Sequence, residues 1–320
     1  MTLATLGYVG YAVESTEGTF VAPTIFLPVT SFNFDDSNDY IVPDQIRGNR
    51  DRSIALAGPY STSGSLDMEL VPNGISALLR SVFASKESGL VVSTSGASGS
   101  YSHVFTPGNE SPTFTFESSA GEILIRRYGG IRVNNMEVSA SFGEIVTASF
   151  GLEGTTRGTQ PSAASESFAQ VVPFHFNGAK IQRDSSDIAN VKSFTFGVNN
   201  NIDRIGTLRR TRAYKRTVLG MRDVSLSMTL DFDSTTDYDL FLAETEFAVT
   251  LDLQGALIGG STYNSLVIEI PRVRYNMTSV PISGADYIEQ SVDCQILRPL
   301  NGDPIFTATL VNNEATVPGA

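Results

Sequence analysis

The chain has 320 residues, is 41% hydrophobic and carries a formal net charge of −12 from 22 basic and 34 acidic residues. This is a globular composition with room for two domains of ordinary size, and its acidity argues against general phosphate binding, which draws its affinity from Lys and Arg. A single cysteine, Cys294, excludes an internal disulfide and a cysteine-based zinc site, and no apolar run nears the 18 residues of a membrane-spanning helix.

Met1–Gly7 has no basic, apolar leader, so a soluble protein made inside the cell, without membrane association, is expected. From there the dominant period is two. Ser65-Leu66-Asp67-Met68-Glu69-Leu70 alternates as a half-buried antiparallel strand does. A helix is predicted next, over 74–83, with Asn73 as its cap and Ile75, Leu78, Leu79, Val82 and Phe83 on one face. The Ser/Gly-rich stretch within Ser85–Tyr101 reads as a flexible surface loop. Met136 to Phe142 alternates again, turns at Phe142-Gly143-Glu144, and returns with Val146, Ala148, Phe150 and Leu152 on one face.

Small polar residues at 156–168 read as a linker, dividing the chain into domains 1–155 and 169–320. Beyond it, Val224, Leu226, Met228 and Leu230 alternate. A short helix is predicted over 235–243, capped by Ser234 with Asp237 as its capping partner, and with Leu240 and Phe241 inward. Cys294 falls on the apolar face of the last clear strand, which fits a small buried hydrophobe.

Three blocks occur twice, in the same order. Ser31-Phe32-Asn33-Phe34 returns as Ser193-Phe194-Thr195-Phe196, Ser65 to Leu70 as Ser225 to Leu230, and Arg132-Val133-Asn134 as Arg274-Tyr275-Asn276. The offsets are 162 (193 minus 31), 160 (225 minus 65) and 142 (274 minus 132). This pattern predicts tandem duplication of a β-rich unit of about 150 residues, with about 18 extra residues in the first copy.

The chemistry-bearing residues do not assemble into a catalytic pattern. His103 and His175 lie far apart, and Gly96-Ala97-Ser98-Gly99-Ser100 misses the nucleophile elbow at its last position. No phosphate-cradling Gly-x-x-x-x-Gly-Lys occurs. Asp231, Asp233, Asp237 and Asp239 cluster, but without the turn glycine of a calcium loop, and a helix start accounts for them. No enzyme activity, metal or cofactor is expected. The basic run Arg204, Arg209, Arg210, Arg212, Lys215, Arg216 and Arg222 holds seven of the 22 basic residues, and Arg47, Arg50 and Arg52 occupy the matching place in the first copy beside Asp35, Asp36, Asp39 and Asp44.

The opening segment, Glu14-Ser15-Thr16-Glu17-Gly18-Thr19 followed by Pro23 and Leu27-Pro28-Val29, continues through Ile46 to Arg50 into the first alternating strand and helix. In this order it resembles the two-domain tail tube proteins (major tail proteins) of long-tailed bacteriophages, over most of the chain. The resemblance implies a mainly β fold: two tandem tail-tube β-sandwich domains, each with one short α-helix, contributing to a β-barrel shared between subunits. It implies a virion protein, made in the host cytoplasm, whose three chains form a pseudo-hexameric ring. Rings would stack into a tube that meets tape measure, tail terminator and distal tail proteins and passes double-stranded DNA without binding it.

An acidic or small-polar wall suits such a channel. The candidates are Asp67, Glu69, Glu137, Ser139, Ser141, Thr147, Ser149, Ser225, Ser227 and Thr229. The long loops 38–62 and 200–222 are then candidates for ring stacking, through Arg47, Arg50, Arg52, Arg209, Arg210, Arg212, Lys215 and Arg216. The alternative reading is a carbohydrate-binding or adhesion β-sandwich, against which the absence of Trp weighs.

Overall fold

The structure, a computed structural model, describes residues 7–46, 48, 50–85, 91–94, 99–121, 123–160, 162–281 and 288–318. The fold is mainly β, as expected, with two short α-helices among the described residues. The strands of the first half are β1 (Tyr8–Val13), β2 (Ile25–Phe26), β3 (Ser31–Ile41), β4 (Leu56–Glu69), β5 (Val91–Thr94), β6 (Tyr101–Phe105), β7 (Phe114–Ala120), β8 (Leu124–Ser141), β9 (Thr147–Gly154) and β10 (Thr156–Gln160). Those of the second half are β11 (Ala179–Arg183), β12 (Ser186–Asp187), β13 (Val191–Asn199), β14 (Asp203–Ile205), β15 (Arg216–Val218), β16 (Asp223–Asp231), β17 (Phe247–Gly259), β18 (Thr262–Ser279), β19 (Glu289–Ile296) and β20 (Thr307–Asn312). Helix α1 (Ser76–Val82) follows β4 and α2 (Thr236–Leu242) follows β16.

The same pairing order occurs in each half. In the first, β3 pairs with β4, β4 with β9, and β9 with the C-terminal part of β8. In the second, β13 pairs with β16, β16 with β19, and β19 with the C-terminal part of β18. The N-terminal parts of β8 and β18 leave this sheet and join a second one, β8 beside β7 and β10, β18 beside β17 and β20. Apolar side chains fill the space between. In the first half Tyr11 stacks on Phe116, and Phe34 on Tyr128 at 4.0 Å between ring centroids. In the second, Phe196, Leu226, Met228 and Tyr275 are buried. Each large side chain so removed from water contributes about 1.5–3 kcal/mol.

The ladders correct one echo. Ser31 faces Asp67 and Ser193 faces Thr229, so Asp67 corresponds to Thr229, at an offset of 162 (229 minus 67) rather than 160. Both long strands bulge at an asparagine: β8 passes over Asn134 against β9, and β18 over Asn276 against β19, at an offset of 142 (276 minus 134). The middle echo is two residues out of register, and the first copy's insertion is 20 residues (162 minus 142). A slip of two keeps every side chain on its own face, so alternation could not reveal it.

The inserted residues also differ from the expected flexible loop. Part of Ser85–Tyr101 forms β5, which pairs with β6, and β6 pairs with the chain's last strand, β20; residues 86–90 and 95–98 lie outside the described residues. His103 on β6 is buried with its Nε2 2.9 Å from Asn312 Oδ1. The insertion of the first half thus extends the sheet in which β20 lies beside β18.

Both helix starts differ from expectation. Helix α1 begins after Ile75 without a side-chain cap, and Asn73 instead donates to Asn313 Oδ1. The C-terminal segment supplies the acceptor at this end. Glu314 accepts from Gly74 N at 2.8 Å and from Ser76 Oγ at 3.1 Å. Packed against β8 and β6, α1 is buried on every side, including its expected apolar face. At α2, Ser234 Oγ donates to Thr236 Oγ1, and Asp237 turns inward to the Arg183 guanidinium and the Tyr275 hydroxyl. Of the stretch 156–168, Thr156–Gln160 is β10, paired with β8; beyond it, Ala164 N donates to Tyr8 Oη and Phe168 packs edge-on against Phe26.

The opening motif clamps the N-terminal segment to β8. Buried Glu14 accepts from Gly130 N at 2.9 Å, Gly18 N at 2.7 Å and Thr115 Oγ1 at 2.8 Å. Gly130 has φ +62, and a Cβ there would sit 2.0 Å from Thr155 Oγ1, so only glycine fits. Burial raises the Glu14 pKa from its ordinary 4.5, and the amides of Gly130 and Gly18 pull it part of the way back. The folded state therefore binds this proton more tightly than the unfolded chain. Stability from Glu14 rises as pH falls through the raised folded value towards 4.5. Glu14→Gln sets an amide N–H against Gly18 N–H and should cost about 1–3 kcal/mol. In thermal melts the gap to the wild type should widen from about pH 7 to about pH 5; a narrowing gap would refute this account of the clamp.

Candidate functional site

One sheet runs through both halves, because the C-terminal part of β8 pairs with β13. Its eight strands follow the order β3-β4-β9-β8-β13-β16-β19-β18. Strict alternation gives it one apolar face, turned to the core, and one polar face. Directly opposed residues share a face, so the ladders place the side chains. Asp67 opposes Ser149, Ser149 opposes Glu137, Glu137 opposes Gly197 and Gly197 opposes Ser225. The next row runs Glu69, Thr147, Ser139, Thr195, Ser227 and Asp293. Ser141, Ser193, Thr229 and Ser291 form a third. The ten residues named as wall candidates lie together on the polar face.

That face is acidic and short-chained. Asp35, Glu153, Asp223, Asp231 and Glu289 add to its carboxylates. Of the cations on or beside it, Lys192 pairs with Glu289, Arg204 with Glu153 and Arg132 with Glu17, and Arg274 lies opposite Gln295. Small hydroxyls tie the strands laterally, Ser149 Oγ donating to Asp67 Oδ1 at 2.6 Å and Ser139 Oγ lying 3.0 Å from Thr195 Oγ1.

The joint between the halves is built from residues that sequence reasoning did not assign. At the β8 bulge, Asn134 O accepts from Asn200 N and Asn134 Oδ1 from Ile202 N, each at 2.8 Å. Two residues earlier, the Arg132 guanidinium donates to Thr217 O at 2.6 Å and pairs with Glu17, while Glu17 Oε1 accepts from Thr217 N. The signal was present in the sequence, since Arg132 and Asn134 are the outer residues of the third echo.

The basic residues expected to act together have different settings. Arg47 lies outside the described residues. Arg50 and Arg52 are exposed between β3 and β4, and Arg209, Arg210, Lys215 and Arg216 are exposed between β13 and β16. Arg212 is committed within the chain, donating to Gly58 O at 2.6 Å and to Asn38 Oδ1 at 3.0 Å. Arg222 is also internal, bound to Phe83 O and Gly108 O, and burial lowers its pKa. Ile46 and Leu208 are fully exposed on the same two loops.

Other reactive side chains are separated. Among the described residues no group of three or more His, Cys, Asp or Glu side chains is placed to hold a metal ion. Asp233 is bound by Asn190 and Asp239 by Thr235, while Asp237 faces inward. His175 Nδ1 accepts from Asn177 N. Burial, with Asp293 nearby, pushes the Cys294 thiol up to about 12, which leaves little thiolate at neutral pH. Among the described residues no helix is long and apolar enough to cross a membrane.

A family model described as phage tail tube protein matches residues 5–296. No curated protein matches the chain.

Proposed function

The chain belongs to the phage tail tube protein family, a structural component of the virion, and on that premise we propose that three chains close into a ring of six similar β-units and that rings stack into the tube. The carrying observation is the joint between the halves. β8 and β13 pair inside the chain, and among the described residues the edges left over at the two ends of the eight-stranded sheet are β18 and β3, their counterparts by offset and bulge. Repeating one joint with each added chain closes a sheet without free edges. The polar face then lines the channel, where acidic and small side chains repel phosphates and let duplex DNA pass. Tape measure, tail terminator and distal tail proteins are the expected neighbours along the tube, and the host cytoplasm is the site of synthesis.

Stacking falls to the hairpin segments 38–62 and 200–222, which carry exposed cations together with the exposed Ile46 and Leu208. Arg212 serves the fold, so the test uses Arg209, Arg210 and Arg216. Replacing all three by Glu should leave the melting temperature within about 2 °C, because surface changes cost little, while blocking elongation from rings to tubes. Negative-stain microscopy of concentrated protein reads both points. Dispersed monomers at high concentration for the wild type would sink the ring, and unaltered tubes for the triple variant would sink the stacking role.

A further inference from the structure

We propose that the bulged asparagine of the Arg-x-Asn echo marks the joint, and that Asn276, in the second copy of the echo, latches onto the β3 edge of a second copy of this chain in one fixed register. The inference rests on the ring reading and adds the residues and the alignment. In the first half, Asn134 bulges out of β8 and receives Asn200 N and Ile202 N across the joint. In the second half, Asn276 makes the same bulge in β18, but among the described residues the strand ends the sheet there, and Asn276 is exposed. At the other end of the sheet, the offset of 162 places Asn38 where Asn200 stands and Tyr40 where Ile202 stands, and both are exposed. Donor and acceptor sides of the joint are thus each present once more, at opposite edges of the same sheet.

The register follows from the ladder. Gly197 faces Glu137 at the internal joint. Subtracting 162 from the first and adding 142 to the second pairs Asp35 of one chain with Ser279 of the next. A groove at the joint gives the same correspondence. In the second half, Val191, Ser193 and Phe194 line a groove of about 310 Å³ whose rim includes Ser141 and Phe142 from the first half. In the first half, Val29, Ser31 and Phe32, at the same positions by the offset of 162, line a groove of about 520 Å³.

The test places cysteines in a Cys294→Ser background, with Asp35→Cys and Ser279→Cys in one chain, and compares it with Asp35→Cys and Met277→Cys, which reports a slip of two. Oxidised rings should run as covalent oligomers on a non-reducing gel for the first pair only. Separately, Asn276→Ala should raise the concentration needed for assembly about tenfold, through loss of the one hydrogen bond its side-chain oxygen accepts at the bulge, with the monomer melt unchanged. Rings that cross-link through the Met277 pair, or through neither, would overturn the register while leaving the tube reading intact. Assembly of Asn276→Ala at the wild-type concentration would overturn the latch. Failure of the wild type to form rings would overturn both.

Discussion

Tubes carrying Glu69→Lys, Glu137→Lys and Asp293→Lys should hold duplex DNA that wild-type tubes release. The three positions lie on the polar face of the eight-stranded sheet, on β4, β8 and β19. Each substitution replaces a negative charge with a positive one, and the proposed ring of three chains repeats the change around the whole channel. A wall that makes about six to ten phosphate contacts gains an affinity that falls about 10³–10⁵-fold between about 50 and 200 mM salt. Retention of labelled DNA by sedimented tubes should therefore be strong at the lower salt and nearly absent at the higher. Because the side chains point away from the core, the monomer should melt close to the wild type. If tubes form normally and still fail to retain DNA at low salt, this face does not line the channel.

The largest stability loss is expected at Asp237. Its carboxylate, on a residue only 3% exposed, receives the Arg183 guanidinium and the Tyr275 hydroxyl, the latter at 2.9 Å. Burial and the carboxylate together push the Tyr275 phenol far up, so the hydroxyl stays a donor throughout the accessible pH range. Asp237→Ala removes the buried anion and leaves the half-buried guanidinium without one, and breaking such a pair costs up to about 3–5 kcal/mol. For a unit of this size the melting temperature should drop on the order of 10 °C. A helix-capping role, the expectation from sequence, would cost only about 1 kcal/mol. Asp233→Ala and Asp239→Ala, both exposed, should shift the melt by no more than about 0.5 kcal/mol. Equal effects at the three positions would refute the buried pair.

Asp237 also shows where local sequence rules stop. Its place near a helix start made capping the natural reading, but the chain brings Arg183 from β11 and Tyr275 from β18 to the same point, and contacts across 54 and 92 residues have no local signature. The same holds for α1, where Glu314 rather than Asn73 accepts at the N-terminal end, because β20 returns the chain end to the first half. Arg212, a ring-stacking candidate, and Arg222 both belong to the basic run of the sequence, yet they donate to backbone carbonyls of the first half.

What the sequence determined by itself was the alternation of faces. Strand side chains point to opposite sides with period two, so Asp67, Glu137, Ser225 and their companions were bound to share a face once the strands paired. The echoes were visible for the same reason, since a repeated unit repeats its pattern. Register and joint were decided only in the tertiary structure. A slip of two residues leaves the pattern unchanged, and it was the ladder and the bulges at Asn134 and Asn276 that set the alignment. Likewise nothing in the pattern says which strand neighbours which: the union of β8 with β13 depends on backbone hydrogen bonds between distant segments, and every strand carries the same backbone donors and acceptors.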